Sequence, residues 1–456
     1  VVVKKFFAWL WVFLLWSNAA FATTRNVGSG QTYATVALAV AAAAAGDSVI
    51  IHGPITLNQD WVTINHDNLK MVMMDSQGHF PGDPNFIATD MPIFDAQGTS
   101  DPGSNQGIWR TGNDAVRGTS IWRLEVNGGE FRNAQGSGNN ACAVRVQAGM
   151  IGLAWFHNLY AHDNQMNFLA APESLIIENS KLYHALRVAG GNQHNLYANA
   201  AGNGDTTSGK PKYLRMKGVW TDDATTGNDF KSRFPINYFL YNRITDGVSD
   251  SLNANIDVPD MGLTYVIGNV IEQGTGHNIN SVLVGYGRES AGNATGGAGH
   301  VDGATADSMF CYNNTFSNLN TSIGIFFQTS FGSPVVTYDN NIFYGFRSSM
   351  TTGGGVYTDG GHNFSEADLN NTSTKFLNQA GGDYHLTAAT SSSIIDAGLS
   401  PGTHSGFACA PTSQYVYDRS TATRTTSGSA IDIGAFEFSQ SGGGGGGGGG
   451  DPCTPW

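Results

Sequence analysis

Four side chains in the middle of the 456-residue chain, His194, Lys231, Arg233 and Asp257, have types and spacings suited to an anionic substrate. Lys231 and Asp257 lie 26 residues apart. If residues 229–233 and 255–258 are successive strands of a repeating coil, Phe230 falls over Ile256 and Lys231 over Asp257. Residues 193–197 fall in a similar phase one coil earlier if residues 200–210 are an insertion. His194, Lys231 and Asp257 then form a column about 10 Å long on one outer face. Arg233 shares the face of Lys231, because alternate strand side chains point the same way.

The chemistry that suits this set is β-elimination at a uronate. It needs a base for the proton beside the carboxylate, a cation for the developing enolate and an acid at the leaving oxygen. Lys231 is the expected base. Arg233 or Arg215 would grip the carboxylate through two parallel hydrogen bonds, and His194 or Tyr197 would protonate the leaving group. Asn195, Tyr197, Arg215 and Asp257 are expected to line the substrate. Asp257 would orient Lys231, although a carboxylate touching the lysine opposes its use as a base. Two other chemistries compete. Asp222-Asp223 is an adjacent acidic pair that a glycoside hydrolase would use across the scissile bond. Asp222, Asp223 and Asp229 also leave calcium possible, as hard oxygen ligands close in sequence, but they form no recognised loop and no cofactor is assigned. A non-catalytic glycan-binding surface protein is the alternative outside enzymology. There is no Gly-x-Ser-x-Gly, phosphate loop or dinucleotide fingerprint.

Charge agrees with a polyanionic ligand. The chain carries a net charge of −13 with only 13% charged residues, which argues against nucleic-acid or anionic-membrane binding over the whole surface. Between Lys181 and Arg243, however, nine Lys/Arg stand against four Asp. That local positive field would steer an acidic polysaccharide to one groove.

The elements that must position these residues repeat. Tyr241-Asn242-Arg243-Ile244, Gly268-Asn269-Val270-Ile271, Asn313-Asn314-Thr315-Phe316 and Asn340-Asn341-Ile342-Phe343 share an Asn with an apolar residue two positions on. Asn242 to Asn269 and Asn314 to Asn341 are each 27 residues apart. Asn269 to Asn314 comes into line once a Gly/Ala-rich insert, residues 288–307, is set aside. Looser copies stand at Asn158 and Asn179. Such a period suits one coil of a parallel solenoid. Asn fits its sharp corner by tolerating the left-handed conformation, and stacked copies would bond as an amide ladder. A Greek-key sandwich array is the competing fold and leaves the regular Asn without a reason.

At the N-terminus, Lys4 and Lys5, an apolar run from Phe6 to Trp16 and Ala20-Phe21-Ala22 read as a signal peptide cleaved after Ala22. The run is shorter than the roughly 20 residues that span a bilayer, so no transmembrane segment is expected, and the location is secreted, periplasmic or cell-surface. The solenoid domain is placed at residues 23–440. It opens with a short helix through the alanine-rich run to Ala45, a stop at Gly46 and a first strand at Val49-Ile50-Ile51. Residues 441–456, with nine consecutive glycines, form a flexible tail. Cys142, Cys311, Cys409 and Cys453 lack zinc spacing and are expected as buried thiols or one bridge.

Several segments resemble known proteins. Residues 30–51 are similar to the entry segment of secreted right-handed parallel β-helix proteins of the pectate lyase-like superfamily, in which an amphipathic helix caps the open coil. Ser393-Ile394-Ile395-Asp396-Ala397-Gly398 and Ala430–Glu437 resemble the terminal signature of bacterial secreted β-helices. The resemblance implies an all-β, right-handed parallel β-helix with an N-terminal capping helix. Phe230-Lys231-Ser232 is similar to the strand bearing the catalytic Lys-Ser of chondroitinase B and related alginate lyases, which implies a polysaccharide lyase with Lys231 as base. Where those enzymes carry calcium-binding glutamates this chain has Asn228 and Asp229. It has Asn255 and Asp257, not arginine, one coil later. Asp222-Asp223 resembles the acidic pair of polygalacturonases on the same fold, without their Gly-His-Gly and Arg-x-Lys companions.

Overall fold

Runs of three to six residues that alternate inward and outward, each followed by a sharp corner, give strands too short to pair in isolation. Residues Tyr213–Lys217 show the pattern: Leu214 and Met216 are buried, while Tyr213, Arg215 and Lys217 face outward. Such strands become stable when every coil stacks its copy on the one before. A computed structural model of the chain shows that arrangement. It describes residues 22–101, 106–112, 123–136, 141–147, 150, 152–186, 193–199, 212–247, 252–275, 282–289, 307–320, 324–331, 333–345, 349–366 and 375–439. The leader expected at the N-terminus, the glycine tail and Cys453 lie outside the described residues, apart from Ala22.

Three long parallel sheets of twelve, ten and eleven strands, here sheets A, C and B in that order, run the length of the molecule. Each coil contributes one strand to A, then B, then C. The chain is a right-handed parallel β-helix, the hand that parallel crossovers favour. Its interior is apolar and aromatic, with Phe94, Phe131, Phe156, Phe168, Phe230, Phe239 and Phe316 fully buried. No described helix is long and apolar enough to cross a membrane. Cys142, Cys311 and Cys409 are buried free thiols.

The corner from sheet A to sheet B carries the asparagine repeat. Asn242 donates from Nδ2 to Asn269 Oδ1 (3.0 Å), Asn269 to Asn314 (2.9 Å), Asn314 to Asn341 (3.0 Å) and Asn341 to Asn363 (3.0 Å). Each Oδ1 also accepts the backbone N–H of the preceding asparagine, at 2.8–2.9 Å. The second Nδ2 hydrogen of these residues goes to a sheet A carbonyl, as from Asn269 to Phe239 (2.9 Å). The amide ladder is therefore present, but the left-handed conformation falls one residue earlier than the sequence suggests. Tyr241, Gly268, Asn313 and Asn340 have φ of 54°, 67°, 52° and 54°. Turning the chain before the ladder residue lets that residue point inward. At Gly268 the choice is forced twice, since a Cβ there would also lie 2.6 Å from the Tyr241 ring. The insert leaves the ladder unbroken because it enters the coil elsewhere, between the strands Val282–Tyr286 of sheet C and Ser308–Tyr312 of sheet A.

The N-terminal helix is Val36–Ala41, shorter than the alanine run, and a strand Thr24–Val27 precedes it and pairs with Ser48–His52. Thr35 caps the helix, and the buried Asp60 carboxylate accepts from the N–H groups of Val36 (2.7 Å) and Ala37 (3.1 Å). Asp47 ends the alanine run by accepting from the Ala44 N–H. Val36, Ala39 and Val40 close the apolar end of the coil. The C-terminal segment folds back along the helix. The Gly398 N–H reaches the Ile431 carbonyl (2.9 Å) and the Ile433 N–H the Ile394 carbonyl (3.0 Å), which joins the two terminal motifs. Arg424 and Glu437 form a buried ion pair at 2.9 Å beneath them.

Candidate functional site

Lys231 and Arg233 come from one sheet C strand, Asn228–Arg233, whose Phe230 and Ser232 point into the core. That alternation fixes both cations on the outer face. Parallel register then sets a column through Arg110, Arg145, Leu169, Tyr197, Lys231 and Asp257, continuing to Gly285 and Gln328. At ordinary strand spacing, Arg110 to Asp257 spans about 24 Å. Phe230 stacks over Ile256 and Lys231 over Asp257, as the spacing suggests. The residue beside Lys231 in the preceding coil is Tyr197, not His194.

A charged network crowns this face. Lys231 Nζ and the Arg233 guanidinium hold the two oxygens of one carboxylate, Glu289, Lys231 on Oε1 and Arg233 on Oε2. Behind them, Lys231 lies 3.9 Å from Asp257, and Arg233 is fixed by Asp260 and by the Tyr197 hydroxyl (3.0 Å). The Tyr197 ring also lies 5.7 Å from Lys231 Nζ, in cation–π range. Arg288 folds back over Asp257 at 3.7 Å and donates to Asn253. The space for it comes from Gly285, where a Cβ would sit 2.1 Å from Arg288 Cδ. Burial pushes the Asp257 carboxyl up, against the pull of Arg288 and Lys231, and burial likewise raises Asp260 against Arg233. Burial alone would raise Glu289 too, but hydrogen bonds from Lys231 and Arg233 outweigh it and hold that carboxyl below its ordinary range.

The other residues singled out in the sequence lie elsewhere. His194 is 6% exposed, and its Nδ1 accepts the Asn228 N–H at 2.8 Å. Burial, with Lys231 adding, lowers it to about 3, so it stays neutral and has no proton to give as an imidazolium at ordinary pH. Asn195 is fully buried at the corner from sheet B to sheet C, where it bonds Asn167, Thr221 and Asp229. Arg215 is on sheet A, held by Glu178 at 2.8 Å. Neither Asn195 nor Arg215 reaches the sheet C network. Asp222 and Asp223 belong to sheet B. Asp222 is pushed up to about 7, by burial first, with Asp223 and Glu272 adding and Arg243 opposing. Asp223 sits in a left-handed turn 3.8 Å from His184. Asp229 is inside the coil, accepting from Asn195, Thr221 and Asn255. These three therefore supply no calcium cage: among the described residues, no three His, Cys, Asp or Glu side chains converge as metal ligands.

Sequence reading missed Arg288, Glu289 and Asp260. The first two begin the insert and looked like loop. The available signal was a charged pair placed directly after a sheet C strand, at the fixed end of a Gly/Ala-rich stretch.

The chain resembles a solved structure over most of its length. Its fold is similar to that of pectate lyase Pel9A. The superposition has a TM-score of 0.52 at 14% identity, covering 92% of this chain and 98% of that one. At this identity the likeness to Pel9A establishes the parallel β-helix and nothing finer. No protein-family profile matches the chain, and neither does any curated protein.

Proposed function

We propose that the outer face of sheet C binds an acidic polysaccharide and cleaves it by β-elimination, with Lys231, Arg233 and Tyr197 as the acting residues. The observation that carries this reading is that Lys231 and Arg233, side by side on one strand, jointly hold a carboxylate on a face whose column also includes Arg110 and Arg145. A uronate carboxylate placed on Arg233 brings the carbon beside it toward Lys231. Lys231, as the free amine, takes the proton from that carbon. The electron pair forms the carbon–carbon double bond, the glycosidic C–O bond breaks, and the Tyr197 hydroxyl donates a proton to the leaving oxygen. The leader expected at residues 1–22 would place this action outside the cytoplasm.

A second reading, glycan binding without cleavage, is favoured by one specific feature. Lys231 is engaged by Glu289 and lies close to Asp257, and a nitrogen whose protons are held by carboxylates is not an available base. Incubation with alginate, pectate and glycosaminoglycans, following the ultraviolet absorbance of the unsaturated product, separates the two. Absorbance growth that Lys231→Arg abolishes while binding persists supports elimination. Binding with neither absorbance growth nor new reducing ends supports the binding module, and new reducing ends alone would indicate hydrolysis.

A further inference from the structure

Glu289 is the outermost member of the network, 32% exposed, whereas the Lys231 and Arg233 side chains are 14% exposed and those of Asp257 and Asp260 only 2% and 4%. It comes from 58 residues away in sequence and meets the two cations with one oxygen each. Both cations keep a second anchor on the inner side, Lys231 through Asp257 and Arg233 through Asp260 and Tyr197. The fork therefore holds its shape with Glu289 gone. Charge gives the same result. Lys231, Arg233 and Arg288 face the two inner carboxylates of Asp257 and Asp260, which leaves one positive charge for Glu289 to neutralise. Replacing the Glu289 carboxylate by another carboxylate leaves the count unchanged.

We infer that Glu289 is an internal competitor: its carboxylate occupies the subsite for a ligand's uronate carboxylate, and it leaves by rotating its partly exposed side chain into solvent when the ligand enters. This rests on the reading of sheet C as an acidic-glycan groove and adds to it a residue that sets affinity. A tethered competitor reduces apparent affinity by the fraction of molecules in which it has vacated the fork.

The test is calorimetric titration of the full chain, parent and Glu289→Gln, with an oligogalacturonate, an oligoalginate and a neutral oligosaccharide of similar length. Glu289→Ala is run beside them in case the glutamine amide stays on the fork. The inference predicts that both variants bind one of the acidic oligosaccharides at least about tenfold more tightly than the parent. The gain should persist at about 0.5 M salt, where screening shrinks to about 4 Å and a general field effect fades. The neutral sugar should show no gain. Equal or weaker binding by both variants overturns the inference while parent binding leaves the groove reading standing. Absence of acidic-glycan binding by parent and variants alike overturns both.

Discussion

The corner between sheets A and B and the outer face of sheet C both stack polar groups from successive coils, and they treat them in opposite ways. At the corner, Asn242, Asn269, Asn314 and Asn341 are neutral and fully buried; Asn242 starts the ladder against the Val219 N–H, and the other three bond to asparagines above and below. Every donor and acceptor has a partner, so burial carries no unsatisfied-group penalty. On sheet C the residues differ from coil to coil, carry charge, and take partners from distant segments such as Glu289 and Asp260. A ladder of identical amides can only hold the coil together. A set of unlike charges at the surface, with more cation than inner carboxylate, is what a soluble anion can enter.

Substitutions should separate the two regions. The largest effect is expected from Lys231→Ala: turnover of a responsive polyuronate should fall by about a hundredfold or more. The unfolding free energy should move by less than about 1 kcal/mol, because the outer partner Glu289 is partly solvated and Arg288 still faces the buried Asp257 carboxylate. A comparable loss of stability would mean the sheet C network is structural like the ladder. Next, Asn269→Ala removes four hydrogen bonds inside the coil. It should cost about 3 kcal/mol by urea denaturation, with binding per folded molecule unchanged. A binding defect in the folded fraction would break the division proposed here. The smallest effect concerns sheet B. Asp222, raised to about 7, binds its proton more tightly folded than unfolded. The folded state therefore holds more protons between about pH 4 and pH 7, and stability from this group falls as pH rises through that window. Asp222→Asn should flatten that decline in urea midpoints, and an unchanged slope would contradict it.

The ladder was legible in the sequence because its cause is local and periodic. An asparagine recurs at 27 residues with an apolar residue two positions on, and each copy needs only its neighbour. The same periodicity placed Lys231 over Asp257. It misplaced His194, since a strand beginning at Leu196 puts Tyr197 in the outer column and leaves His194 in the buried corner before it. Arg215 failed for a related reason: being basic and near in sequence does not put a residue on the right sheet of a three-sided coil. Glu289 was hidden because an insert has no phase, so nothing in the repeat says which coil its first residues fold back upon.

The most direct measurement is binding of an oligouronate to the parent and to the double variant Lys231→Ala/Arg233→Ala, both confirmed folded by circular dichroism. If sheet C carries the carboxylate fork, the parent binds and the double variant loses about a hundredfold or more in affinity, near 2.7 kcal/mol. Equal affinities in the two proteins would place the anion site elsewhere on the helix and leave Lys231, Arg233 and Glu289 as a surface clamp.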